Sequence, residues 1–280
     1  MGFLENIDDG TINIKKMGIM KAIFVMIIAI LLEWLGQVPG EFLNLFSGKF
    51  ESALPYVVFT FGVMVKYYVI IVLLKLFSNK VNYQKPKQKL NIMGFVYVTL
   101  LIIGFRVIFD NSLIFWVSKI PMPNLINKPF EEQAISPILL ILSLVVIAPI
   151  YEEVIFRGIL LKGMANKINP NIALVVSALL FAVVHLNIPQ GINAFLLGLI
   201  TGFIYLKTES IYLSIFAHFV NNFLAITVSS MFTSIEGKYV MTIHRIFFIL
   251  GVILLVIVYN AYKQNKVTDI PEIYKEFIEI

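Results

Sequence analysis

Two adjacent carboxylates and a guanidinium interrupt the otherwise apolar stretch "APIYEEVIFRGILLKGM", residues 148–164: they are Glu152, Glu153 and Arg157. Further along, His185 closes "FAVVH", and His218 opens "HFVNN", which ends on Asn222. A carboxylate in apolar surroundings is a useful general base. An imidazole takes or gives a proton near neutral pH, and imidazole or amide N–H groups steady negative charge developing on oxygen. These residue types together are suited to hydrolysing an amide bond. Each of them alone has a plainer use, because His, Asn and Ser side chains also hydrogen-bond across membrane helices and hold them together. A Glu, two His and an Asn at one depth favour a site, since helix packing alone does not require that mixture of base, acid and donor.

The elements that position them are transmembrane helices. The chain is 59% hydrophobic and 14% charged, with a mean hydropathy of +0.88, which places it outside the range of soluble domains. Apolar runs recur near 18–38, 54–77, 91–117, 137–160, 171–188, 190–207, 210–232 and 241–262. Each is close to the roughly 20 residues that a helix needs to cross about 30 Å of hydrocarbon. The expected fold is therefore an all-α, polytopic membrane protein of about eight transmembrane helices. "NIPQG", Asn187 to Gly191, reads as the turn between the fifth and sixth runs. The first run is too long for a cleaved signal peptide and reads as an anchor.

Without cysteine the chain has no disulfide framework, thiolate metal site or thiol nucleophile. Its formal charge of +5 matters less than where the lysines fall. With the N-terminus in the cytoplasm, Lys15, Lys16 and Lys21, the group Lys75 to Lys89, Lys162, Lys167, Lys207, Lys263, Lys266 and Lys275 lie on one side. Lys49, Lys119, Lys128 and Lys238 lie opposite. The positive-inside rule then predicts a multi-pass protein of the cell membrane with both termini cytoplasmic.

Each ionisable residue at mid-bilayer costs roughly 2.5–3.5 kcal/mol, so Glu152, Glu153 and Arg157 together represent about 7–10 kcal/mol that pairing or water must offset. Glu153 and Arg157, four apart, share a helix face and can pair, while Glu152 is turned about 100° away and needs another use. Counted from the cytoplasmic ends of their spans, Glu152 lies about 15 Å deep, His185 about 21 Å and His218 about 12 Å, so the three can meet. Elsewhere, Arg106 and Asp110 are expected to neutralise each other. Glu33, Lys66 and Arg245 snorkel or line a cavity, His244 reads as exposed, and Pro149 is placed to kink the fourth helix beside the carboxylates.

"EEVIFRG", "FAVVH" and "HFVNN" match, in order, the EExxxR, FxxxH and HxxxN motifs of a known family. In these the chain resembles the CPBP family, also called Abi or type II CAAX-protease-like, a group of intramembrane endopeptidases. The resemblance implies three segments: N-terminal transmembrane helices over 1–134, a CPBP/Abi-like catalytic core over 135–235, and a last helix with a cytoplasmic tail over 236–280. It implies Glu152 as base on a water, His185 as its positioning partner, His218 and Asn222 as an oxyanion hole, and Glu153 with Arg157 as structural support. A metal-free mechanism is favoured. The alternative is zinc on Glu152, His185 and His218, a His/His/Glu set able to leave one position open.

The resemblance leaves a second function open, a non-catalytic membrane regulator or bacteriocin immunity protein of the same fold. A small transporter is a third, against which the lack of a visible inverted repeat counts. The expected partners are membrane lipid and a hydrophobic peptide or membrane-protein substrate, with no nucleic acid. The Lys- and Ile-rich, cysteine-free composition looks bacterial. The tail "VTDIPEIYKEFIEI" spaces its apolar residues either for the membrane surface or as a plain soluble end.

Overall fold

The structure, a computed structural model, describes residues 2–44, 53–80, 92–117, 119–120, 136–228 and 240–265. The C-terminal tail, residues 81–91 of the lysine-rich loop and residues 121–135 fall outside these.

The apolar runs fold as helices: α1 (Phe3–Asp8), α2 (Ile19–Asn44), α3 (Leu54–Phe77), α4 (Ile92–Asp110), α5 (Ile114–Val117), the long helix α6 (Pro137–Ala165), α7 (Pro170–Val183), α8 (Ile188–Thr208), α9 (Ile211–Thr227) and α10 (Val240–Asn265). Six of these, α2, α3, α4, α6, α8 and α10, are long and apolar enough to cross a membrane. α7 and α9 are apolar but shorter. The chain is a polytopic helical membrane protein.

α6 is the central helix. Its residues 153–161 are all buried, and a helix apolar on every side needs neighbours all round. α2, α3, α7, α8 and α9 supply them. α6 is also irregular, with wide π-helical turns over Leu142–Ile147 and Val154–Leu161 on either side of a regular turn, Ala148–Glu153. The disturbance expected of Pro149 takes this form: the N–H of Ala148 reaches back five residues to the Ser143 carbonyl, so the ladder widens where proline has no N–H to give. The carboxylates therefore sit on the one regular turn between two relaxed ones.

Close helix approaches use glycine. A Cβ on Gly198 of α8 would lie 3.1 Å from both Cα and Cβ of Ala178 on α7, and one on Gly104 of α4 would meet Leu255 of α10. Small residues at these contacts are the usual device of membrane helix packing. At one end of the bundle, β1 (Ile12–Ile14) pairs antiparallel with β2 (Ser78–Lys80), Ile12 opposite Lys80 and Ile14 opposite Ser78. The Met17 N–H donates to the Gly163 carbonyl at 2.9 Å, and Asp8 accepts from the Ile211 N–H at 2.8 Å, capping α9.

Three expectations change. "NIPQG" is not the turn. Asn187 caps α8, accepting from the Gln190 N–H at 2.8 Å, and Pro189 and Gly191 lie in its first turn, where a proline's missing N–H costs nothing. The break falls earlier, through Leu186 in a left-handed conformation. The third run ends its helix at Asp110 instead of continuing to 117. His244 is buried, with Nδ1 2.7 Å from Asn111 Oδ1, because the tight α4–α10 packing covers it.

Gly198→Leu is expected to destabilise the protein by about 1–3 kcal/mol through overpacking against α7. Gly62→Leu, where an added Cβ meets nothing within 4 Å, should leave stability unchanged. Thermal unfolding in detergent compares the two.

Candidate active site

The site is built on the regular turn of α6. Glu153 is fully buried and paired with Arg157 one turn on, Oε2 to Nε at 3.0 Å. The Arg157 guanidinium donates to the Thr201 hydroxyl on α8 and lies 4.7 Å from the Phe181 ring centroid on α7. Thr201 in turn donates to the Leu197 carbonyl at 3.1 Å. Three helices thus close around one internal ion pair, which offsets a desolvation cost that neither charge could bear alone.

His218, on α9, completes the support. Its Nδ1 lies 2.9 Å from Glu153 Oε1, and its Nε2 faces Glu152 Oε2 at 3.8 Å. Paired with Arg157, Glu153 is the acceptor and His218 Nδ1 the donor, which fixes the ring and aims Nε2 at Glu152. The two carboxylates differ in access: the Glu152 side chain is 26% exposed and that of Glu153 is 0% exposed. One is open to react and the other is sealed beneath it.

His185 sits at the end of α7, half-buried, with Nδ1 2.8 Å from the Phe181 carbonyl. A carbonyl only accepts, so that nitrogen donates and Nε2 keeps its lone pair. The Phe181 ring stands edge-on between the two imidazoles, 5.0 Å from His185 and 5.7 Å from His218. Asn222, one turn beyond His218, donates from Nδ2 to the Leu144 carbonyl of α6 at 2.8 Å and accepts from Asn221 at 3.0 Å. Its second amide hydrogen is left over. Glu152, Glu153, Arg157 and His218 are therefore in direct contact, while His185 and Asn222 join them through Phe181 and through α6.

Sequence reasoning missed Thr201, Ser177 and Tyr151. Ser177 donates to the Phe156 carbonyl at 2.9 Å within the π turn, and Tyr151 packs beside Glu152 on the α3 side. Thr201 and Ser177 carried no signal beyond being hydroxyls in apolar helices.

Residues 134–224 match the family model described as "Type II CAAX prenyl endopeptidase Rce1-like", a stretch that takes in all three motifs. Over those residues, about a third of the chain, it is similar to that family. Among curated proteins, "Putative membrane peptidase YdiL" of Bacillus subtilis (strain 168) is 34% identical over 86 residues, 31% of this chain and 35% of that relative. The chain thus spans about a third of the curated relative it matches. No solved structure matches it.

A zinc site in this core would draw Glu152, His185 and His218 to within about 2.0–2.2 Å of one point. Among the described residues no three His, Asp or Glu side chains gather in that way. Of the imidazoles, His218 Nδ1 is committed to Glu153 and His185 Nδ1 to a carbonyl. Those bonds leave Nε2 of each imidazole, the nitrogen a zinc would take, so zinc on Glu152, His185 and His218 stays the alternative, and no step below passes through a metal.

Arg157→Met strands Glu153 as a buried, unpaired charge and is expected to cost about 3–5 kcal/mol. Adding Glu153→Gln should restore much of it, with stability read from thermal unfolding of the single and double variants in detergent.

Proposed function

We propose that this protein is an intramembrane endopeptidase that hydrolyses a peptide bond in a hydrophobic or membrane-associated peptide. We place its catalytic core in residues 135–235. The observation that carries this is the pair of unequal carboxylates on α6, one accessible and one sealed, with His218 between them. The family match to a CAAX prenyl endopeptidase model supports the reaction class.

In this reading Glu152 holds a water and takes its proton as the oxygen attacks the scissile carbonyl carbon. His185 Nε2 accepts the water's other hydrogen and orients the attack. The carbonyl's π electrons move to oxygen, giving a tetrahedral oxyanion. His218, as the imidazolium this role requires, donates from Nε2 to that oxyanion, and Asn222 offers its spare amide hydrogen. Collapse breaks the C–N bond, and Glu152 returns its proton to the leaving nitrogen. Glu153 and Arg157 take no part in the bond changes. They hold His218 in register and keep its charge balanced.

The fit to the membrane is physical as well. A water-poor setting strengthens the oxyanion donors.

The test is cleavage of a peptide library, read by mass spectrometry, by the purified protein in detergent. Glu152→Gln keeps the shape and removes the base, and is expected to lower the rate about 10²–10⁴-fold. Cleavage should survive dialysis against a chelator. Loss of activity on dialysis with recovery on added zinc would instead favour the metal reading, and Glu152-independent behaviour would favour the regulator or immunity reading.

A further inference from the structure

Among the described residues, three ion pairs lie within the membrane helices, apart from Lys162 with Glu209 at the ends of α6 and α8, and they differ in access. Arg106 with Asp110 and Arg157 with Glu153 are each four residues apart on one helix, with every side chain 7% exposed or less. The third joins two helices, Lys66 of α3 to Glu33 of α2, and its side chains are 26% and 24% exposed. That matches the openness of Glu152. A pair serving only to hold helices together gains from being sealed, since charge facing hydrocarbon is costly. Charged groups left open at mid-span face water or a ligand.

Tyr151 ties this pair to the active site. Lys66 Nζ stands 4.4 Å from the centroid of the Tyr151 ring, and α3 packs on the same turn of α6 that carries Glu152. Tyr151 is only 7% exposed. Its buried hydroxyl lies within interaction range of the Glu33 and Glu152 carboxylates but closes no hydrogen bond of good geometry. Glu33, itself paired with Lys66, and Glu152 are the acceptors in reach of that hydroxyl. Beside Glu152, then, stand two donors, Lys66 and Tyr151, and one acceptor, Glu33.

We propose that Tyr151, with Lys66 and Glu33, forms a subsite that binds the main chain of the substrate peptide next to the bond under attack. This rests on the peptidase reading. A peptide cleaved inside a membrane must open its helix there, which exposes N–H and C=O groups with no water to satisfy them. Donors and an acceptor side by side meet both needs of one peptide unit. A free carboxylate is a poorer fit, because Lys66 is already paired with Glu33 and Arg157 with Glu153. The N-terminal helices, outside the stretch that matches the family model, thereby take part in substrate recognition.

The test reads binding without cleavage. Full-length Glu152→Gln protein in detergent is offered a library of apolar peptides of about 20 residues, and the peptide most strongly retained becomes the probe. It is resynthesised with one main-chain amide at a time replaced by an ester, which removes an N–H and weakens the carbonyl as an acceptor. At one or two positions the ester is expected to lower affinity about tenfold, the worth of roughly one hydrogen bond. Adding Tyr151→Phe should weaken the all-amide probe by a similar factor and shrink the ester effect at that position to less than twofold. Lys66→Met combined with Glu33→Leu, which removes the pair without stranding a charge, should flatten the profile likewise and serves if the Tyr151 variant does not fold. An ester profile unchanged in both variants, whatever their overall affinity, overturns the proposal, as does a failure to retain any peptide. If Glu152→Gln protein cuts as fast as the parent, the peptidase reading falls while this binding test still stands.

Discussion

The Glu153–Arg157 ion pair, sealed at the centre of a membrane protein, sets terms that the rest of the structure meets. Neither charge is tolerable there alone, and together they still leave guanidinium and carboxylate edges to be covered. Thr201 takes one edge from α8, Phe181 covers the guanidinium face from α7, and His218 binds the carboxylate from α9. The pair thereby fixes the positions of three helices relative to α6. Glu152 is the neighbour of that sealed pair.

The same helix supplies freedom where it is useful. Wide turns before and after Ala148–Glu153 relax the hydrogen-bond ladder without breaking it, in a setting where a broken ladder has no water to fall back on. Polar side chains then make use of what is freed: Asn222 reaches the Leu144 carbonyl in one relaxed turn and Ser177 the Phe156 carbonyl in the other. These contacts tie α9 and α7 to α6 at the level of the carboxylates. Rigidity at the charged turn and slack on both sides of it agree with the proposed reading, in which this helix holds a base while a peptide lies against it.

Access separates the polar groups more sharply than identity does. Arg106, Asp110, Glu153 and Arg157 are charged, and all are closed off by their own helix partners. Glu152, Glu33 and Lys66 are charged and open, and Tyr151 lies among them. In hydrocarbon that distinction carries meaning, since an open charge is sustained only by water or by something bound. The N-terminal helices, which look like simple anchors by composition, contribute Glu33 and Lys66.

The sequence by itself determined the class and most of the helices, because hydrocarbon thickness imposes a length on apolar runs and an apolar run needs no tertiary contact to reveal itself. It also determined two of the ion pairs, since the four-residue spacings of Glu153 with Arg157 and of Arg106 with Asp110 are local. Where a break fell was harder to read: Pro189 and Gly191 suit a turn or a first helical turn equally, and capping by Asn187 decided for the helix. Only the tertiary structure decided what met across helices. Nothing in the spacing of Glu33, Lys66 and Tyr151 could join them, nor could it show that His218 is held by Glu153 while facing Glu152, or that His244 is covered by α4. Those outcomes depend on how helices rotate about their axes as they pack, and side-chain shape across the interface sets that rotation.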